Sequence, residues 1–334
     1  MSTSFNQGHA CIIGVGGDLP CTVDDAEGLA KILKDPQRCA YPEKQVHLLT
    51  GKTATRQDII STLERLAGTT QSDSTVLVYF SGHGFLVTQP LKTYYLLPYG
   101  YNTEELSDTA LSGAELVDLL LEIPAQKLLL LLDCCHAGGL TDLSGFQVEK
   151  APLPPEARRM FAKGRGRMII GSSLPDELSY TGQPYSAFTT ALIEVLCGKG
   201  ITKEDGYVRA ADLAMYASRT VPAATQDQQH PVLDLEKADN FVLAYYAGGE
   251  PKPKGLPAEL ANGSKIDMAS GEEIAQAATS GDRSIEIGGD ANNATIISGD
   301  GNFVGSGNVV QSGKYNIAIG KNAQNLHIGD ISNK

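Results

Sequence analysis

From His9 to about Tyr246, short apolar runs alternate with longer stretches whose apolar residues recur every three to four positions. Unbroken apolar runs of this length predict strands buried on both faces, and the 3.6-residue period predicts amphipathic helices laid across them. The predicted strands are 10–15, 46–50, 75–80, 127–133, 168–172 and 241–245. Helical spacing occupies 23–34, 56–66, 113–121, 187–196 and 210–218, and Thr55 and Ser112 stand where N-caps belong. Alternation of this kind predicts an α/β fold, a mostly parallel sheet with helices on both faces.

The pattern breaks at Gly248. Gly-Gly-Glu-Pro-Lys-Pro-Lys-Gly-Leu-Pro follows, a mixture that continues neither a helix nor a central strand, so 1–248 reads as one domain and 249–281 as a Pro/Gly-rich linker. In 282–334 short β units (285–287, 295–297, 309–310, 317–319 and 326–328) recur between Gly, Asn and Asp turns. So few bulky side chains per unit cannot fill a core alone. The tail is therefore expected to be a β-rich, solenoid-like repeat, stabilised by stacking or by pairing between chains, and to serve self-assembly or partner docking; the alternative is a disordered low-complexity tail, against which the regular recurrence of Ile and Val stands.

A net charge of −12, with no basic cluster to offset it, argues against a nucleic-acid partner. No apolar run approaches the length of a membrane span, and the polar first residues lack the features of a secretory signal. A soluble, cytoplasmic protein with no membrane partner is expected. Its six cysteines, at positions 11, 21, 39, 134, 135 and 197, form no CxxC pair and are expected to be free thiols. Gly14-Val15-Gly16-Gly17 after the first strand lacks the third glycine of a dinucleotide-binding turn, so a nucleotide is not expected.

Two strand ends carry the chemistry. The run 75–80 leads into Ser81-Gly82-His83-Gly84, and the run 127–132 leads into Asp133-Cys134-Cys135-His136-Ala137-Gly138. Sites in open α/β sheets form at such C-terminal strand edges, so His83 and a cysteine can meet there. On an extended segment side chains two apart share a face, so Cys135 sides with Asp133 and Cys134 faces away. Cys135 is the expected nucleophile, His83 its base, and Cys134 a packing thiol. His136 cannot converge with its two neighbours on one metal ion and reads as structural. His9, His47, His230 and His327 join no constellation and receive no role.

His83 precedes Cys135 by about 50 residues, the spacing that caspases show. The two motifs resemble the caspase-like clan of cysteine peptidases, and their Ser-Gly-His-Gly and Asp-x-Cys-His-x-Gly forms are closest to metacaspases and bacterial orthocaspases. Val23-Asp24-Asp25-Ala26 and Gly171-Ser172-Ser173 extend the resemblance, which covers about Ala10 to Tyr246. It implies a caspase-like sheet, with a large-subunit-like part over about 1–150 and a small-subunit-like part over about 167–248. The implied function is a Cys-His endopeptidase, with the backbone N–H groups of Gly84 and Cys135 as the oxyanion hole. True caspases line their first specificity pocket with cationic and amide groups, whereas the matching position here is Asp133. By resemblance, Asp25, Ser81 and Asp133 form that pocket and select Arg, or Lys, before the cut.

Such an enzyme can process itself in the basic segment 158–167, at Arg158, Arg159, Lys163, Arg165 or Arg167. The alternative is a solvated basic loop. No cofactor is expected to be required. Some relatives use calcium, for which Asp142 and Asp108 are the candidates. The rest of that acidic set is not evident in 98–102, so calcium is left open. The setting implied by bacterial relatives is stress or anti-phage cell death. Two rival readings are an inactive caspase-like adaptor assembling through its repeats, and another thiol chemistry, such as an acyltransferase, on the same dyad.

Overall fold

The structure is a computed structural model that describes residues 4–88, 92–136, 148–149, 154, 157, 159, 166–174, 177–234, 239–261 and 263–268, together with six short strands of the tail. For positions 135, 136, 148, 149, 234 and the tail strands only the backbone is described. The chain divides into two compact units, one of residues 1–137 with 145–271 and one of 138–144 with 272–334.

The first unit is built on β1 (Gly8–Gly14), β2 (Val46–Thr50), β3 (Thr75–Val87), β4 (Thr93–Leu96), β5 (Leu111–Ser112), β6 (Lys127–His136), β7 (Val148–Glu149), β8 (Arg167–Gly171) and β11 (Val232–Asp234). Their main order is β11-β8-β6-β3-β1-β2, parallel from β8 to β2 and antiparallel at the β11 edge. β4 and β7 pair antiparallel with the far end of β3, and β5 pairs with β4. Leucines 128 to 132 are at most 1% exposed, which is why this strand can be continuously apolar.

Helices cover both faces. The first face, with Leu77, Tyr79, Leu129 and Leu131, packs on α1 (Cys21–Lys34), α5 (Ala187–Leu196) and α6 (Ala210–Ala224). The second, with Val76, Val78, Phe80, Leu130 and Leu132, packs on α2 (Arg56–Thr69) and α4 (Gly113–Glu122). Thr55 caps α2 by accepting from the Asp58 N–H, and Ser112 caps α4 by accepting from the Glu115 N–H, as their positions predict. A four-residue α3 (Leu106–Thr109) precedes β5. This is the mostly parallel α/β architecture that the hydrophobic pattern predicts.

The remaining strands of this unit are β9 (Gly182–Gln183), β10 (Tyr207–Arg209), β12 (Val242–Tyr245) and β13 (Lys265–Ile266). The residues after Gly248 do not leave the surface at once. Leu260 is buried in the first-face core, Lys31 pairs with Glu259 at 2.7 Å, and β13 pairs antiparallel with β9. The Asp267 N–H extends that pairing to the Thr181 carbonyl. Residues 257–261 and 263–267 of the stretch read as a linker are thus part of the first unit's packing.

In the second unit the tail strands are β14 (Ser284–Glu286), β15 (Thr295–Ile297), β16 (Asn302–Val304), β17 (Gly307–Ser312), β18 (Tyr315–Gly320) and β19 (His327–Gly329). They form a sheet of order β14-β16-β18-β17 and a separate β15-β19 pair. Among the described residues no helix is long and apolar enough to cross a membrane.

Candidate active site

Neighbouring strands of unequal length create the site. β1 stops at Gly14, the partner of Ser81, and β8 stops at Gly171, the partner of Leu132. β3 and β6 continue together beyond both, pairing Ser81 with Asp133, Gly82 with Cys134, His83 with Cys135 and Gly84 with His136. Sequence reading ends these strands at Phe80 and Asp133. The ladder instead runs through both motifs, because β4 and β7 supply partners to the far half of β3.

The pleat then sorts the residues. Leu77, Tyr79, Leu129 and Leu131 belong to the face of α1 and α5, so Ser81, His83, Asp133 and position 135 fall on that face as well. His83 and Cys135 are direct Cα partners on adjacent strands, about 4.8 Å apart by strand spacing. The Cys135 side chain lies outside the described residues. Cys134 falls on the opposite face, 2% exposed in the second core, with the Tyr94 hydroxyl 3.9 Å from its sulfur. Burial pushes that thiol up, so Cys134 is protonated packing. Gly84 is constrained by the same contacts, since a Cβ there would lie 2.5 Å from the Tyr94 hydroxyl.

His83 is 6% exposed. Its Nε2 lies 2.7 Å from Asp18 Oδ2, and its Nδ1 is buried with no hydrogen-bond partner among the described residues. The hydrogen bond to His83 holds the Asp18 carboxyl below its ordinary range. A carboxylate only accepts, so Nε2 carries a proton toward Asp18, and Nδ1 is the ring nitrogen left to exchange one.

Near His83 and the Cys135 backbone lie Asp25 on α1 and Asp133 on β6, 1% and 2% exposed. Ser186 joins them: its backbone N–H donates to Asp25 Oδ1 at 2.8 Å and its hydroxyl donates to Asp133 Oδ2 at 2.8 Å. The same hydroxyl caps α5 by accepting from the Thr189 N–H at 3.0 Å. Ser179 donates to Asp133 Oδ1 at 2.7 Å, and Thr189 and Tyr79 approach Oδ2 at 3.3 and 3.4 Å. Desolvation nevertheless raises both carboxyls, and for Asp25 the Asp133 charge adds to it. Neither makes an ion pair with any described residue.

The loop that supplies these hydroxyls is pinned from behind. Gln229, fully buried, accepts from the Tyr180 N–H and donates to the Ser172 carbonyl and the Ser179 hydroxyl. A groove of about 910 Å³ adjoins the site, lined by Cys21, Asp24, Glu27, Tyr185, Glu259 and Lys265 among others. Cys21 is a poor nucleophile: burial, Asp25 and Asp133 push its thiol up to about 12.

Of the predicted residues, the structure brings Asp25, Ser81, His83, Asp133 and the backbone of Gly84 and Cys135 together at the C-terminal end of β6 and the middle of β3. It removes Arg167 from the self-cleavage set. That residue lies in β8, 1% exposed, and its guanidinium donates to the carbonyls of Leu120, Ile123 and Ala125, so the bond after it is inside the sheet. Arg159 is exposed and pairs with Asp118 at 2.6 Å, while Arg158, Lys163 and Arg165 lie outside the described residues. Asp108 is on α3, and Asp142 is outside the described residues. Among the described residues no group of three His, Cys, Asp or Glu side chains is placed to hold a metal ion.

Sequence reading misses Asp18, Ser179, Ser186, Thr189 and Gln229. Only Ser186 has a local signal, a serine directly before an apolar helical run. Even so, the cap does not announce its second role on Asp133.

Residues 7–242 match the peptidase C14 family described as Caspase domain. No curated protein matches the chain. Among solved structures, protein GSU0716 from Geobacter sulfurreducens is similar at 18% identity, over 71% of this chain and 98% of that chain, with a TM-score of 0.49. The family match spans well over half of the chain and includes the whole of β3 and β6 with their His83 and Cys135 positions, and the chain belongs to the caspase-domain family of cysteine peptidases.

Proposed function

We propose that this chain is a cysteine endopeptidase that cleaves after Arg, and secondarily Lys, with Cys135 as nucleophile and His83 as general acid and base. The observation that carries the specificity is the pair Asp25 and Asp133, buried together, raised by desolvation and without a cation among the described residues. Two like charges out of water repel, and a guanidinium entering between them replaces that repulsion with charge-assisted hydrogen bonds. Arg fits better than Lys because its planar fork can bond both carboxylates at once.

In this mechanism His83 Nδ1 takes the Cys135 proton as sulfur attacks the scissile carbonyl carbon. The oxyanion that forms accepts from the backbone N–H groups of Gly84 and Cys135, each worth about 3 kcal/mol of barrier in comparable sites. The imidazolium then protonates the leaving amine, the peptide C–N bond breaks, and an acyl thioester remains. Water, deprotonated by the same imidazole, hydrolyses the thioester and restores the thiol. Self-processing within 158–165 follows from the same preference, and the tail 282–334 serves assembly or docking in this reading.

Hydrolysis of fluorogenic peptides ending in Arg, Lys, Asp or Ala by the full chain tests it. Arg is expected to exceed Asp by at least about 100-fold, and Cys135→Ala to remove activity by about a thousandfold or more. Activity that survives Cys135→Ala refutes the dyad, and a preference for Asp refutes the pocket.

A further inference from the structure

Gly16 and Gly17, which resemble a truncated nucleotide-binding turn, have another use. Both adopt left-handed φ, +69° and +71°, a conformation in which other residues are strained. They fold 16–19 into a tight reversal closed by a bridge between Gly16 and Leu19. Thr22 locks it, since its hydroxyl accepts from the Gly16 N–H and donates to the Leu19 carbonyl, each at 2.8 Å. Asp18 is the residue this turn presents, and its carboxylate meets His83 Nε2 at 2.7 Å.

We propose that Asp18 is the positioning residue of the catalytic histidine, holding His83 in the tautomer and orientation that leave Nδ1 free to exchange a proton with Cys135. The inference rests on the peptidase reading above and deepens it. Its geometric support is the asymmetry of the ring: one nitrogen is bonded to a carboxylate, and the other is buried with no partner among the described residues. Once the thiol has given up its proton, the imidazolium donates from both nitrogens and Asp18 balances its charge. His83 is fixed by a strand while Asp18 sits on a turn with its side chain 59% exposed, so water competes for the carboxylate. The contribution is accordingly expected to be far below the roughly 10⁴-fold of a fully buried triad aspartate.

The experiment uses the full chain with Asp18→Asn, Asp18→Glu, His83→Ala and Cys135→Ala, and reads two quantities. One is steady-state hydrolysis of an Arg-terminated peptide; the other is the rate of iodoacetamide alkylation of Cys135 near neutral pH, followed by peptide mass mapping. Asp18→Asn is expected to lower kcat by about 10- to 30-fold with KM within about twofold, to slow alkylation at least about fivefold, and to leave the melting temperature unchanged. Asp18→Glu is expected to recover part of both rates. Unchanged kcat and alkylation in Asp18→Asn, with His83→Ala and Cys135→Ala inactive, overturns the role of Asp18 and leaves the dyad standing. Activity persisting in Cys135→Ala overturns the dyad. Alkylation then still decides whether Asp18 acts through His83, and an Asp18→Asn rate equal to that of the unaltered chain overturns the inference.

Discussion

β6 has a deeply buried charge near each end, and the two are treated differently. Near its start, Arg167 on β8 is 1% exposed and donates at 2.9 Å to the carbonyls of Leu120, Ile123 and Ala125. These are carbonyls at and just beyond the C-terminal end of α4, where backbone oxygens lack helical partners and the dipole favours a cation. Near its end, Asp133 and its neighbour Asp25 are equally buried, but they are ringed by neutral donors and find no cation among the described residues. Burial lowers the Arg167 guanidinium only to about 10, so it stays charged at neutral pH, whereas both aspartates are pushed toward their neutral forms. At the first site the chain's own carbonyls hold both terminal nitrogens of Arg167, while its Nε has no partner among the described residues. In the proposed specificity a basic side chain of the substrate completes the second, and on that reading one charge is structural and the other is for binding.

Substitutions can break this contrast. The largest effect is expected at the structural end: Arg167→Met strands three buried carbonyls and should cost about 3 to 5 kcal/mol, with Arg167→Lys recovering part. Calorimetry or thermal melting checks it, as a fall of about 10 °C or more. A melting temperature within about 2 °C of the unaltered chain would mean that Arg167 is not structural. Asp133→Asn should do the reverse. Asparagine keeps an acceptor for Ser179, and the Ser186 and Thr189 hydroxyls can rotate to accept, so melting should stay within about 2 °C. Cleavage after Arg should fall about 100-fold, near 2.7 kcal/mol of barrier. Full preference for Arg in this variant would remove Asp133 from the pocket.

The smallest effect is the pH dependence of the acidic pair. A carboxyl raised in the folded state favours the protonated native form. Its contribution is therefore fully present below the unfolded value of about 3.9 and is lost as pH rises through the higher folded value. The melting temperature of Asp25→Asn/Asp133→Asn should gain on that of the unaltered chain by about 2 to 4 °C between pH 4 and pH 8. Benzamidine, an amidinium that mimics the Arg head group, should stabilise the unaltered chain alone and close the gap. A difference that is flat with pH, or a double variant that binds benzamidine equally, would show that the buried pair is not a cation site.

Much of this was legible in the chain. The apolar runs mark β1, β2, β3, β6, β8 and β12 to within a few residues, apart from the far half of β3, and Thr55 and Ser112 mark two helix starts. The two-residue pleat alone separates Cys134 from Cys135 and sets Ser81, His83 and Asp133 on one face. Such features depend on residues within a few positions of one another, and local periodicity reports them. Arg167 was misread for the same reason, since a basic run looks solvated until the carbonyls that bury its last member are known.

Amino-acid order by itself determined the layered α/β architecture, the motif pair and the acidic residues of the proposed pocket. Tertiary structure alone decided that Asp18 reaches His83 across 65 positions, and that Ser179 and Ser186 reach Asp133 across 46 and 53. It also decided that 257–261 and 263–267 pack within the first unit, with Lys265 beside Gln183. A hydroxyl, a carboxylate or an exposed turn has no periodicity of its own. Its partner is selected by which distant strand ends and loops the packed sheet brings within hydrogen-bond reach, and that is a property of the closed fold rather than of any segment of it.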